Sequence, residues 1–321
     1  MKVLNSYINF TKEMGYCMMN VKKRCYRMLL AILVLLCSMG NQVTMYSHAA
    51  ESEESVVNYV ALGDSITYGS SSYVSKVSDY LAGRYGECVT KNLAIDGLTS
   101  AGLVDCLTNS SNSYYYSMRS AIKNADVITL DIGSNDILCK AMEIYAAGFG
   151  TTPDQMGAVG ETWTKRIQNA SGFQLFLLYL EAMSIARNIN YELYHGDAMP
   201  ETLAGFETNF KKIMTVINQL APNAKVYIGN LYNPYVDAAP ICCGDYVVVD
   251  LEEFARINIS KANVMIANNA NGNKVIDLYN TINNPKYIKG DVVNYDYDPH
   301  PNAEGQKAIA SKFISAMAAS N

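Results

Sequence analysis

Five short runs rich in β-branched and aromatic residues, separated by segments of helical spacing, constrain this 321-residue chain more than any other feature. The runs cover residues 56–62, 88–95, 126–132, 225–231 and 274–278. Between them, Tyr73, Val74, Val77, Tyr80 and Leu81 predict a helix over 73–85; Leu98, Leu103 and Leu107 predict a short one, and 114–124 another. Leu203, Phe206, Phe210, Ile213, Ile217 and Leu220 mark one face of a long amphipathic helix, stopped by Pro222 and Asn223. Two more helices are expected, over 250–269 and after residue 302, the latter carrying Ile309, Phe313, Ile314 and Met317. Strands that alternate with helices lie parallel and are covered on both faces. The expected class is therefore α/β, a three-layer α/β/α arrangement around a mostly parallel five-stranded sheet.

Residues 137–201 interrupt the alternation. They hold few strand signals, a Gly/Thr/Pro stretch at 148–153, and the apolar run Phe173, Leu175, Phe176, Leu177, Leu178 and Leu180, which continues with helical character. A mostly helical insertion is expected, its apolar run either packed as helix core or lining a pocket or lid.

The first fifty residues are of another kind. Lys22, Lys23, Arg24 and Arg27 precede an apolar run over 28–40, shorter than the roughly 20 residues that span a bilayer. Small residues follow at Ser47, Ala49 and Ala50. That order reads as a secretory signal peptide over 1–50, cleaved near Ala49 or Ala50, with Met18 or Met19 a candidate start; the alternative is an uncleaved membrane anchor. Residues 51–321 would then be the working domain, secreted and without a membrane span.

Half the residues are hydrophobic and the net charge is -5, with no basic cluster beyond the leader, so no nucleic-acid partner is expected. Cys88, Cys106, Cys139, Cys242 and Cys243 remain after the leader, an odd number without regular spacing; most read as small core residues rather than a disulfide framework, with a redox-active Cys242-Cys243 pair as the alternative. With only His195 and His300 beside them and no Cys-x-x-Cys pair, no metal site is expected.

Three turns follow strands directly. Gly63-Asp64-Ser65 follows the first run, Asp96-Gly97 the second, and Gly133-Ser134-Asn135-Asp136 the third. Ligands gather beyond the carboxyl ends of parallel strands. A serine on such a turn can stand clear of the sheet beside free backbone N–H groups, as a nucleophile requires; equally, Asp64 or Ser65 could cap a helix. His300 lies in a polar loop before the last helix, and His195 reads as an exposed loop residue.

Taken in order, these motifs resemble the SGNH, or GDSL, hydrolase family over about residues 56–318. The resemblance implies a flavodoxin-like SGNH hydrolase fold and ester hydrolysis through an acyl-enzyme without a cofactor. It makes Ser65 the nucleophile and His300 its base. The oxyanion donors would be the backbone N–H groups of Ser65 and Gly97 and the side-chain amide of Asn135. The family most often places an aspartate three residues before the histidine, where this chain has Tyr297. Asp298 is the first choice for that role; Asp296, or a backbone carbonyl, remains open. The implied activity is that of a lipase-type serine esterase acting on a small-molecule, lipid or acylated-glycan ester. The alternatives are a carbohydrate acetylesterase and a non-catalytic secreted binding protein.

Overall fold

The computed structural model describes residues 55–291 and 296–319. The predicted leader, with its cleavage point near Ala49 or Ala50, lies outside the described residues.

The central sheet comprises β1 (Ser55–Gly63), β2 (Gly86–Asn92), β3 (Val127–Asp131), β4 (Lys225–Gly229) and, late in the chain, Lys274–Ile276. A separate hairpin, β5 (Ile241–Cys243) with β6 (Tyr246–Val249), makes the late strand β7. The sheet order is β2-β1-β3-β4-β7 and every pairing within it is parallel, as the alternation requires.

Side chains alternate across the sheet because successive Cβ atoms point to opposite faces. Val60, Leu62, Ile128, Leu130, Val226 and Ile228 enter one core. Against them pack α2 (Ser100–Thr108), α3 (Tyr115–Lys123), α4 (Ser134–Gly148) and α7 (Ala198–Leu220), with α8 (Leu251–Asn268). Val57, Tyr59, Val127 and Tyr227 enter the other core, closed by α1 (Tyr73–Tyr85) and the last helix, Ala303–Ala319. There the Tyr73 and Phe313 rings stack 4.9 Å apart.

Differences from expectation are local. Strand β2 stops at Asn92, although Leu93 and Ile95 still donate to the Ala61 and Gly63 carbonyls of β1. The β5–β6 hairpin was not expected. Its turn, Gly244-Asp245 between β-rich flanks, is a two-residue hairpin signal, with Gly244 at φ 59. Of the five described cysteines Cys106 is buried, Cys88 and Cys243 are half-buried against the two cores, Cys139 and Cys242 are exposed, and none forms a disulfide.

The stretch after residue 137 is helical, in α4, α5 (Met156–Asn169) and α6 (Phe173–Tyr194). Helix α4 begins before that stretch and α7 begins inside it. Helix α5 buries no residue, and α6 buries only Ala186, Ile189 and Leu193, in its second half. A short helix, α9 (Tyr279–Ile282), precedes the final one, which is thus α10. Among the described residues no helix is long and apolar enough to cross a membrane.

Candidate active site

The serine turn lies just beyond β1. Thr67 and Tyr68 both donate backbone N–H groups to the Asp64 carbonyl, at 3.1 and 3.0 Å, which folds residues 64–68 into a tight turn. The Asp64 carboxylate accepts the Ile66 N–H at 3.0 Å. Neither Asp64 nor Ser65 caps a helix, since α1 starts only after Ser72. The turn is tied down from several directions. Asn92 donates to the Thr67 carbonyl at 2.8 Å, and the Thr67 hydroxyl shares a hydrogen bond with buried Tyr73 at 3.2 Å. From α10, Gln306 donates to the Ile66 carbonyl at 2.9 Å and accepts the Tyr73 N–H at 2.7 Å.

His300 arrives from the opposite end of the chain. Its Nε2 lies 2.9 Å from Ser65 Oγ and its Nδ1 2.5 Å from Asp298 Oδ1. Asp298 Oδ1 also accepts the His300 backbone N–H at 3.0 Å. Partial burial works to raise the Asp298 pKa, but the backbone and ring hydrogen bonds of His300, with the charges of His300 and Lys289, outweigh it and hold the carboxyl below its usual range. Asp296 makes no contact with the ring; it accepts the Asp298 N–H at 3.3 Å. Tyr297, at the position where the family usually has its aspartate, faces Tyr235 with ring centroids 6.4 Å apart.

The loop is fixed on both sides of the histidine. The His300 carbonyl accepts the Lys289 N–H at 2.8 Å, and Asn302 accepts the Glu304 and Gly305 N–H groups at the start of α10. Tyr232, just past β4, donates its hydroxyl to the Pro299 carbonyl at 2.9 Å. Sequence reasoning missed Tyr232. Its place beyond the carboxyl end of a parallel strand was the available signal.

Gly97 and Asn135 border the same cavity as Ser65 and His300. Gly97 is exposed at φ +71, and nothing lies within 4 Å of where a Cβ would stand, so its need for glycine is conformational rather than steric. The backbone N–H groups of Ser65 and Gly97 have no acceptor among the described residues. Asn135 sits in the first turn of α4, and its amide donates to the Leu98 carbonyl at 3.1 Å and to Asp64 Oδ2 at 3.3 Å. Gly133 opens that helix at φ +125, where a Cβ would meet the Phe206 ring at 2.5 Å.

Two further carboxyls lie beneath the turn. Asp64 and Asp131 are 0 % and 1 % exposed, and Asp131 Oδ2 has no hydrogen-bond partner among the described residues. Burial, reinforced by the charges of Asp136 and Asp96, pushes Asp64 up to about 7, and burial, reinforced by Asp64, pushes Asp131 well above the usual carboxylate range.

The cavity beside Ser65 has a volume of about 460 Å³. Ile137, Leu138, Ala141, Met142 and Tyr145 of α4 form one wall. Phe254, Ala255 and Ile259 of α8 form another, and Leu193 and Ile241 add to the lining. The apolar run at the start of α6 contributes nothing to it. Phe173, Leu175, Phe176, Leu177 and Leu180 are instead exposed, Phe173 by 71 %. They neither line this cavity nor form packed core. His195 is exposed at the end of α6, its ring tilted 46° to that of Tyr191 with centroids 5.8 Å apart. Among the described residues no cluster of His, Cys, Asp and Glu could hold a metal ion.

Fold and site together put the chain among the three-layer α/β/α acylhydrolases. More narrowly, it belongs to the GDSL-like lipase/acylhydrolase family, whose model matches residues 61–308. Among solved structures, it is similar to the lipase Lip_vut3 from a goat rumen metagenome, at 20% identity and TM-score 0.49 over 81% of this chain and 97% of that one. It is also similar to an extracellular lipase from Streptomyces rimosus, at 14% identity and TM-score 0.45 over 83% and 100% of the two chains. Phospholipase A1 from Streptomyces albidoflavus shares 12% identity, with TM-score 0.43 over 83% and 99%. No curated protein matches the chain.

Proposed function

We propose that this protein is a serine esterase of lipase type, taking carboxylic esters whose acyl group extends beyond acetyl and cleaving them through an acyl-enzyme. The observation that carries this reading is an apolar cavity of about 460 Å³ opening onto the Ser65–His300–Asp298 series. Cavities of this size and lining suit an apolar ligand fixed by a few polar groups.

In the proposed reaction His300 Nε2 takes the Ser65 proton as Oγ attacks the ester carbonyl, while Asp298 holds the ring through Nδ1–H. The oxyanion is received by the N–H groups of Ser65 and Gly97, and by Asn135 once its amide turns one hydrogen from its present acceptors. Collapse expels the alcohol, which takes its proton from His300. Water then attacks the acyl-Ser65 carbonyl with His300 again as base, releasing the acid.

We further propose that residues 1–50 direct export, leaving 51–321 as the mature hydrolase. The order of basic, apolar and small residues supports this, and the N-terminus of protein recovered from the medium tests it.

The functional test is a chain-length series of nitrophenyl esters run beside acetylated xylan, with fluorophosphonate labelling. The expected result is rising kcat/KM from acetate to medium chains and a label on Ser65. Activity confined to acetyl groups would replace this reading with the acetylesterase. Neither turnover nor label would leave a non-catalytic binding protein.

A further inference from the structure

Asp136 follows Asn135 in the first turn of α4 and has no part in the reaction sequence above. Its two carboxyl oxygens engage one residue of the neighbouring segment. Oδ2 accepts the Ser100 backbone N–H at 2.8 Å, and Oδ1 accepts the Ser100 hydroxyl at 2.5 Å. Ser100 is fully buried, three residues beyond Gly97, and its Oγ also accepts from Asn209 of α7 at 3.1 Å. Asn135 itself holds the Leu98 carbonyl at 3.1 Å. Adjacent residues of α4 thus grip the 97–100 segment at two points, one on either side of Thr99.

Gly97, at φ +71 and exposed, carries no side chain to fix where its N–H points. The segment's position relative to Asn135 is therefore set by these grips. We propose that Asp136 is a positioning residue, which through Ser100 sets the separation between the Gly97 N–H and the Asn135 amide that receive the oxyanion. This rests on the serine-esterase reading of the site.

A carboxylate suits the task because it can accept two hydrogen bonds from one partner. An asparagine presents only one acceptor oxygen and turns an NH₂ towards a hydroxyl that already accepts from Asn209. A catalytic group displaced by about 1 Å costs on the order of 100-fold in rate.

The test is steady-state kinetics on a nitrophenyl ester, normalised to active sites titrated by burst, for Asp136→Asn and for the same change in an Asn135→Ala background. Asp136→Asn is expected to lower kcat about 10- to 100-fold with KM changed less than about twofold, since a transition-state contact is disturbed. In the Asn135→Ala background it should cost less than about threefold, because residues acting through one device are not additive. Equal losses in the two backgrounds, or an unchanged kcat per titrated site, would overturn the proposal. Should Asp136→Asn fail to fold, Ser100→Ala removes only the hydroxyl bond, with the same non-additive pattern expected. Ser65→Ala serves as the control: full activity in that variant would sink the serine reading itself, whatever Asp136 does.

Discussion

Asp298 meets the His300 ring from two residues upstream, at 2.5 Å, by accepting the backbone N–H of the same residue whose side chain it orients. Asp298→Asn should therefore lower kcat by about 10⁴, the usual cost of losing the orienting carboxylate of a triad. Asp296, whose contact is the Asp298 N–H, should cost less than about tenfold when changed to Asn, as a supporting residue of the loop. Kinetics of the two variants on one nitrophenyl ester check this; equal effects would mean that a backbone group orients the ring.

On the proposed function, the α4 wall makes the accepted acyl length depend on Ala141. Ala141→Phe puts a ring into the cavity and should lower kcat/KM for octanoate at least tenfold while changing that for acetate less than about threefold, given about 1–3 kcal/mol per methylene in an apolar pocket. A parallel fall for both esters would place the acyl group elsewhere.

Exposed residues at the start of α6 should not matter to chemistry. Phe173→Ser together with Phe176→Ser is expected to leave kcat/KM for short, soluble esters within about twofold, because neither lines the cavity. A loss above tenfold at unchanged Tm would bring this run into the site.

Asp64 and Asp131 tie stability to pH. The unfolded chain gives up these protons near the ordinary carboxylate pKa of about 4, whereas the folded protein retains them to about 7 at Asp64 and to a raised value at Asp131. Across that window the folded state binds more protons, so stability falls as pH rises. Calorimetry should find Tm lower at pH 8 than at pH 5. In Asp131→Asn, which removes one of the two carboxyls that hold their protons, the drop should shrink. A drop of equal size in the variant would show that the pair does not set it.

The strands were legible because each carries its own run of β-branched residues, and the turns at Ser65, Gly97 and Asn135 because each comes within a few residues of such a run. Asp298 was harder to single out. Two aspartates flank Tyr297, and only the loop's fold decides which one shares an oxygen between the His300 backbone and ring. The acyl wall was hidden for a different reason: Ile137, Leu138 and Ala141 differ in no way, as letters, from residues that face a core. Phe173 to Leu180 misled in the opposite direction. Hydrophobicity promised burial there, but Phe173, Leu175, Phe176, Leu177 and Leu180 are exposed, and burial depends on what a helix meets rather than on its own composition.

Gln306 bridges Ile66 and Tyr73 across 240 and 233 residues of chain. During synthesis the Ser65 turn therefore emerges long before His300 and Gln306, by on the order of tens of seconds at about 5–20 residues/s. Through that interval the serine is an ordinary hydroxyl. On the proposed function, catalytic competence arrives only when the last helix docks, so the nascent chain is inert and the first turnover marks the completion of folding.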